Sequence, residues 1–379
     1  MSKVNYMHSS FSTGKCNEHF FALYSTNHKS FITEAEELLW KYQQATGEHN
    51  CSENTEIVLR FHLSDVHRQA QHIRRIFGRR SSFVSFVGQP PANNSRISLE
   101  AWHLEHNGIK RYISENNNDR VAKFDLKNYQ LLYYSRQNFK LDNSKMQTYG
   151  EFVALQKILK RHGGNIADNC MRTWLYCRDV DNNYAGLVEA RNELFETYGL
   201  TQKTHYIAST GIEGQHENPH RLVGMDSASV FGIDADQVSF MEALKHLSPT
   251  HFYGVSFERG TKITYGDRAH YYISGTASIN KFGSVVHTDD VEKQTVRTIE
   301  NIEALLNNYK ASLNDIKLFT VYLRDGADHH VVDKILEKSL PYEIPRVMQI
   351  APVCRPEWLV EIEAVAVNSD GNNQFRDFA

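Results

Sequence analysis

Near the C-terminal end of the 379-residue chain, Arg346 offers a planar fork of donors that suits a carboxylate and stays charged at any working pH. It reads either as an anchor for a substrate carboxylate or as a strand-end arginine paired with Glu361 or Glu363. Those two glutamates lie two apart, so on a strand they share a face. Desolvation raises the pKa of a carboxyl buried there, a nearby arginine lowers it again, and a carboxyl so poised can give up and recover a proton. Cys354, seven residues before Glu361, has no sequence partner resembling a Cys–His nucleophile pair, so packing or pocket lining is favoured over covalent catalysis. Tyr322, Thr276 and Ser278 are candidate hydroxyl donors, and equally candidate strand residues satisfied by their neighbours. Arg191 falls in a predicted helix, as an anchor or as part of a solvated face.

Other chemistries find less support. The 19 histidines are scattered; His216 and His220 come nearest to ligand spacing, but Pro219 opposes the helix that would align them, and no metal site is expected. Five cysteines with no C-x-x-C spacing argue against a disulfide framework or a thiolate zinc site and for a reducing cytoplasm. Arg74-Arg75-Ile-Phe-Gly-Arg79-Arg80 could suit RNA, yet it also reads as the charged end of a surface helix, where cations suit the dipole. With 42 basic against 45 acidic residues, the formal charge of −3 creates no field for nucleic acid or anionic membrane. No apolar run approaches the ~18 residues of a membrane span, and the first sixteen residues lack the apolar stretch of a secretory signal. Walker, G-x-G-x-x-G and H-E-x-x-H motifs are absent.

The elements that must position these residues repeat. In the last third, a strand from Tyr271 leads to a helix capped by Asp289 or Asp290, whose apolar stripe runs through Ile299, Ile302, Leu305, Leu306 and Tyr309. A strand over 318–324 ending at Asp325, a helix over 331–338 and strands over 346–351 and 359–367 follow. The middle third reads as helix 149–162, strand 172–179, helix 187–198 and strands 205–210 and 221–230. The first third reads as helix 32–44, strand 57–65, helix 66–77 and strands 83–87 and 96–104. Each unit therefore ends a strand on an aspartate (Asp65, Asp179, Asp325) and enters a helix. The expected division is 1–110, 125–235 and 245–368, with polar boundaries near 105–125 and 232–248 and a flexible tail over 369–379.

The C-terminal unit resembles the YjgF/Rid (endoribonuclease L-PSP) family. Ile273-Ser-Gly-Thr, Gln294, Asn301-Ile302, Val321-Tyr-Leu-Arg-Asp325, Ile344-Pro-Arg346 and Val360-Glu-Ile-Glu-Ala364 carry the likeness over about 271–367. A narrower likeness, over roughly 170–367, is to the chorismatase branch. It rests on Arg172-Thr-Trp174, Tyr184, Arg191, Ser209-Thr-Gly-Ile212, Phe257-Glu-Arg259, Ser274-Gly-Thr-Ala-Ser-Ile279, His287, Asp290, Gln294 and Cys354-Arg-Pro-Glu-Trp-Leu-Val-Glu361. The chain departs from that pattern at Asn280-Lys281-Phe282 and at Glu213, which leaves the substrate open.

The resemblance implies an α+β fold of three tandem Rid-like units forming an internal pseudo-trimer, monomeric as a free chain. It also implies a cofactor-free hydrolase or lyase acting on chorismate or a related enol-pyruvyl cyclic acid. The alternatives are a Rid-type imine or enamine deaminase and a non-enzymatic binder of small carboxylates. Arg346 and Glu361, fifteen apart, match the family pair that faces one pocket, as carboxylate anchor and general acid. Arg191, Thr210, Gly211, Arg259, Thr276, Ser278, Tyr322 and Cys354 are the expected substrate-binding residues. The middle unit has Ser209 and Gly224 where the last has Arg346 and Glu361, so one complete pocket is expected rather than three.

Overall fold

The structure, a computed structural model, describes residues 6–26, 28–116, 119–136 and 141–379. The expectation about a leader falls partly on residues 1–5, and part of the polar 105–125 stretch falls on 117–118; both lie outside the described residues.

The first unit comprises β1 (Met7–Ser12), β2 (Asn17–Tyr24), α1 (Phe31–Glu48), β3 (Glu56–Leu63), α2 (Val66–Phe77), β4 (Phe83–Gly88) and β5 (Ile97–Glu105). The second runs through β6 (Lys110–Glu115), β7 (Asp119–Asp125), β8 (Gln130–Arg136), α3 (Ser144–Arg161), α4 (Ile166–Asn169), β9 (Cys170–Cys177), α5 (Val180–Thr197), β10 (Ala208–Glu213) and β11 (Val223–Phe231). The third has β12 (Val238–Phe240), β13 (Gly260–Thr264), β14 (Ala269–Ala277), α6 (Val291–Asn307), β15 (Ile316–Leu323), α7 (His329–Ser339), β16 (Arg346–Ile350) and β17 (Val360–Asn368). Each unit forms its own sheet, in the orders β1-β2-β5-β3-β4, β6-β7-β8-β11-β9-β10 and β12-β13-β14-β17-β15-β16. All three finish in a parallel pair, β3–β4, β9–β10 and β15–β16, whose crossover is a helix. The α+β pseudo-trimer is thus the observed fold.

Alternation along the strands builds the interior. On β3, Leu59, Phe61 and Leu63 pack under α1 and α2, while Arg60 and His62 point the other way. Equivalent registers place Glu100, Asp226 and Glu363 opposite Arg60, Trp174 and Thr320. These polar residues meet where the three sheets face one another, and each unit grips the next. Ser85 Oγ of the first donates to Asp226 Oδ2 of the second at 2.6 Å. Arg172 Nη2 and Trp174 Nε1 of the second donate to Glu363 of the third at 2.7 and 2.8 Å. Thr320 Oγ1 of the third returns to Glu100 Oε1 of the first at 2.6 Å, closing the ring. Such buried charges are tolerable because opposite charges and hydroxyls pair with them, although Arg60 Nε and Arg172 Nη1 find no hydrogen-bond partner among the described residues.

The aspartates act as expected at two of the three strand ends. Asp65 accepts from Arg68 N, and Asp325 from Ala327 N. Asp179 enters α5 in the left-handed region, φ 52°, with no side-chain cap bond. Asp290 caps α6 through Lys293 N.

Three expected boundaries are corrected. Residues 110–115 and 119–125 are strands of the second sheet, whose side chains alternate outward and inward. β12 joins the third sheet from Val238, ahead of the expected start at 245. Finally, the 369–379 tail is docked: Phe378 is fully buried against Tyr265 and His270, its N–H donates to Asp267 Oδ1, and Arg376 O accepts from Gly266 N. No helix among the described residues is long and apolar enough to cross a membrane.

Candidate active site

β10 and β14 meet where the second unit abuts the third, held by Gly275 N–H donating to Thr210 Oγ1 at 2.9 Å. Side-chain alternation decides what reaches the cleft between them. Ser209, Gly211, Gly275, Ala277 and Ile279 open into the cavity between them. Thr210, Thr276 and Ser278 turn away from it.

Glu361 enters this cavity from β17, opposite Ala277. Its carboxyl lies so close to the backbone of β14 that a Cβ at Gly275 would overlap Oε1. Burial, with the nearby Glu363 adding, pushes its pKa up to about 8, against the pull of Arg172 and Arg259. At neutral pH it is a protonated acid.

Two guanidinium groups face it from either side of the cleft. Arg191, on α5, is 1% exposed, and its Nε and Nη2 find no hydrogen-bond partner among the described residues. Arg259 donates Nε and Nη2 to Ser248 O at 3.3 and 2.9 Å and lies 5.5 and 5.4 Å from the Tyr253 and Phe257 ring centroids. Burying guanidinium N–H groups without partners carries part of an ion's desolvation penalty, and it leaves Arg191 with two donors still to offer in the cleft. Tyr253 and Trp358 wall the cleft, with the Arg355 guanidinium 4.8 and 5.0 Å from their centroids. Burial raises the Cys354 pKa to about 12, which keeps the thiol protonated beside Tyr184.

The structure therefore brings together Glu361, Arg191, Gly211, Arg259 and Cys354. It does not bring Arg346 to them. Arg346 sits on the edge strand β16, separated from β17 by β15, and its Nε and Nη2 bond Asp333 Oδ1 at 2.8 and 2.6 Å. It lines a different cavity, between the third unit and the first, with Tyr24 and Lys41. In a cyclic arrangement, the edge strand and the central strand of one sheet serve different clefts. The residue at the Arg346 register in the Glu361 cleft is Ser209 of the second unit.

The remaining expected binders are satisfied elsewhere. Thr210 donates to Glu363 Oε2 at 2.5 Å, holding that carboxylate in the central network. Thr276 donates to Ser274 O and Ser278 to Val286 O, both fully buried on the face away from the cleft. Tyr322 is buried at the centre, near Glu363 and Arg60. Conversely, Tyr253, Phe257, Arg355 and Trp358 line the cleft but were not among the expected binders. The run of aromatic and arginine residues over 253–259 and 354–358 is the signal that could have marked them.

Glu361 has no counterpart in the other units: its register holds Ser98 in the first sheet and Gly224 in the second. The acid is present in one cleft of three.

Comparison with known proteins places this architecture. The family profile described as endoribonuclease L-PSP matches residues 264–368. The 3-aminoacrylate deaminase RutC of Acinetobacter baylyi is 32% identical over 96 residues, which is 25% of this chain and 76% of that protein. This chain belongs to the Rid (YjgF, endoribonuclease L-PSP) family. A chorismatase crystal structure at 1.08 Å resolution shares the fold over nearly the whole length, with a TM-score of 0.66 and 17% identity, covering 92% of this Rid chain and 98% of that one.

Proposed function

We propose that the protein is a hydrolase or lyase acting on chorismate or a related enol-pyruvyl cyclic acid, with Glu361 as general acid and Arg191 and Arg259 as carboxylate anchors. The observation that carries this reading is a buried carboxyl, its pKa pushed up to about 8, that shares one cleft with a buried guanidinium whose Nε and Nη2 find no partner among the described residues. Hydrolysing an enol ether requires a proton at its methylene carbon. The C–H bond forms as the π electrons shift, leaving an oxocarbenium ion that water captures, and collapse of the hemiketal releases pyruvate and the ring alcohol. Carbon protonation is slow, so the acid must be held at the reacting carbon, and the carboxylate that Glu361 becomes stabilises the developing cation. Arginine forks fix the pose by binding the substrate's carboxylates in two-point contacts. Arg346, bound to Asp333 in another cleft, has no part in this scheme.

A second reading is an imine or enamine deaminase, favoured by the likeness to RutC. The same acid would protonate the enamine carbon before water adds. The two separate cleanly: purified protein treated with EDTA is expected to release pyruvate from chorismate, whereas accelerated ammonia release from 2-iminobutyrate without pyruvate from chorismate would transfer the assignment to the deaminase. Release of neither above the spontaneous background would reduce the cleft to a carboxylate-binding site.

A further inference from the structure

The first unit carries a cluster that the proposed reaction does not use. His8 on β1 and His19 on β2 project from one face of the sheet, since His8 pairs with Phe21 and His19 with Ser10 in the antiparallel register. His49 closes α1 directly above them. His8 Nε2 lies 3.1 Å from His19 Nδ1, and the His8 and His49 rings stack with centroids 3.6 Å apart. One nitrogen from each of the three lies within 4.8 Å of the others. The geometry points to a binding site for a first-row divalent cation of the zinc type, held by His8, His19 and His49.

Three features support a ligand set over a mere stack of rings. A tetrahedral ion with bonds of about 2.0–2.1 Å sets its nitrogens about 3.3 Å apart, and the His8–His19 pair already has nearly that spacing. The third nitrogen, no more than 4.8 Å from the other two, needs a shift of at most about 1.5 Å, within the reach of a half-buried side chain at a helix end. His19 also turns its other nitrogen, Nε2, toward Glu105 Oε2 at 3.9 Å, beyond hydrogen-bond distance but near enough for the carboxylate charge to favour a cation at the ring. Glu105 is itself fixed by Asn17 Nδ2 at 2.7 Å.

An all-imidazole set favours Zn²⁺, Cu²⁺ or Ni²⁺ over Mg²⁺ or Ca²⁺, which prefer oxygen. The remaining coordination position would take water. Such an ion would join the N-terminal strand pair to the end of α1, far in the sequence from the cleft of the second and third units.

The test is titration of the EDTA-stripped full chain with Co²⁺, followed by visible absorption, with Zn²⁺ competition and Mg²⁺ as comparison. One Co²⁺ per chain with a tetrahedral band, displaced by Zn²⁺ and ignored by Mg²⁺, is expected. His8→Ala and His19→Ala should each weaken binding at least about 100-fold. His216→Ala with His220→Ala should leave binding unchanged. Absence of stoichiometric uptake by the native chain would overturn the inference, as would uptake retained when His8, His19 and His49 are all alanine. Because the readout is metal uptake, neither result depends on the reaction in the other cleft.

Discussion

Glu361 is held as an acid by its surroundings, and that state has kinetic and energetic signatures. Glu361→Gln keeps size and polarity but cannot give up a proton, so steady-state turnover should fall by about 10²–10⁴. With a folded pKa of about 8 in the free protein, kcat/KM should fall as pH rises through that value while the acid ionises. The same shift bears on stability. The folded state retains a proton that the unfolded chain gives up near pH 4.5, so stability declines as pH rises from about 4.5 to 8. Glu361→Gln removes this penalty. Thermal melts should show the variant gaining on the native protein across that window, with no pH-dependent gain below it. The arginines give an opposed pair of expectations. Arg191→Ala should raise KM strongly and Arg191→Lys should not restore it, because a single ammonium cannot replace the planar fork. Arg346→Ala should leave KM nearly unchanged and act instead on stability, by releasing Asp333. A reversal of these two KM results would return the anchor to Arg346.

At the scale of elements, the tail gives a direct test. Phe378 is fully buried, so Phe378→Ala should cost about 3–5 kcal/mol in a denaturant titration, where a frayed tail would give almost nothing. The sequence showed no reason for this docking because Asn368 onward is polar apart from Phe375, Phe378 and Ala379, and one buried ring with a set of backbone hydrogen bonds makes the contact. Helices with a clear apolar stripe were legible: α2 begins and ends where the residues said, between Asp65 and Gly78. Strands β6 and β7 were not. KRYISE and DRVAKFD alternate polar and apolar residues on a half-exposed surface, and the two strands pair antiparallel within the second sheet instead of bounding a linker. Glu361, Arg191, Gly211, Arg259 and Cys354 were legible as cleft residues through resemblance. Thr210, Thr276 and Ser278 failed because each sits one residue out of phase with the face that opens into the cleft, and a motif does not reveal which face is which. Arg346 failed for another reason: spacing along a chain locates strands, but the neighbour each edge meets is set by the ring of units. The histidine cluster escaped for a similar reason, since its members are contributed by two strands and a helix end rather than by a short sequence motif.

For the whole molecule, the ring of contacts closes within one chain. Light scattering should give the chain mass of 43.7 kDa. A species of about 130 kDa would mean that whole chains assemble in threes, and that the internal ring does not satisfy the surfaces on which symmetric trimers rely. The central network makes the ring brittle at specific points. Glu363→Gln leaves the buried Arg172 guanidinium without its carboxylate, a loss of about 3–5 kcal/mol by the usual cost of stranding a buried charge.

Ring closure also sets an order of events during synthesis. The first unit meets both of its neighbours, through Ser85 with the second and through Glu100 with the third. Glu100 finds Thr320 only after more than two hundred further residues have been made. Until then, the flank of the first unit that will receive β15 and β16 remains uncovered while the ribosome is still translating. The last unit is therefore a keystone: the emerging protein must be kept from pairing that flank with a second nascent copy, and the speed at which the final third is delivered bears on how much of it ends as single rings.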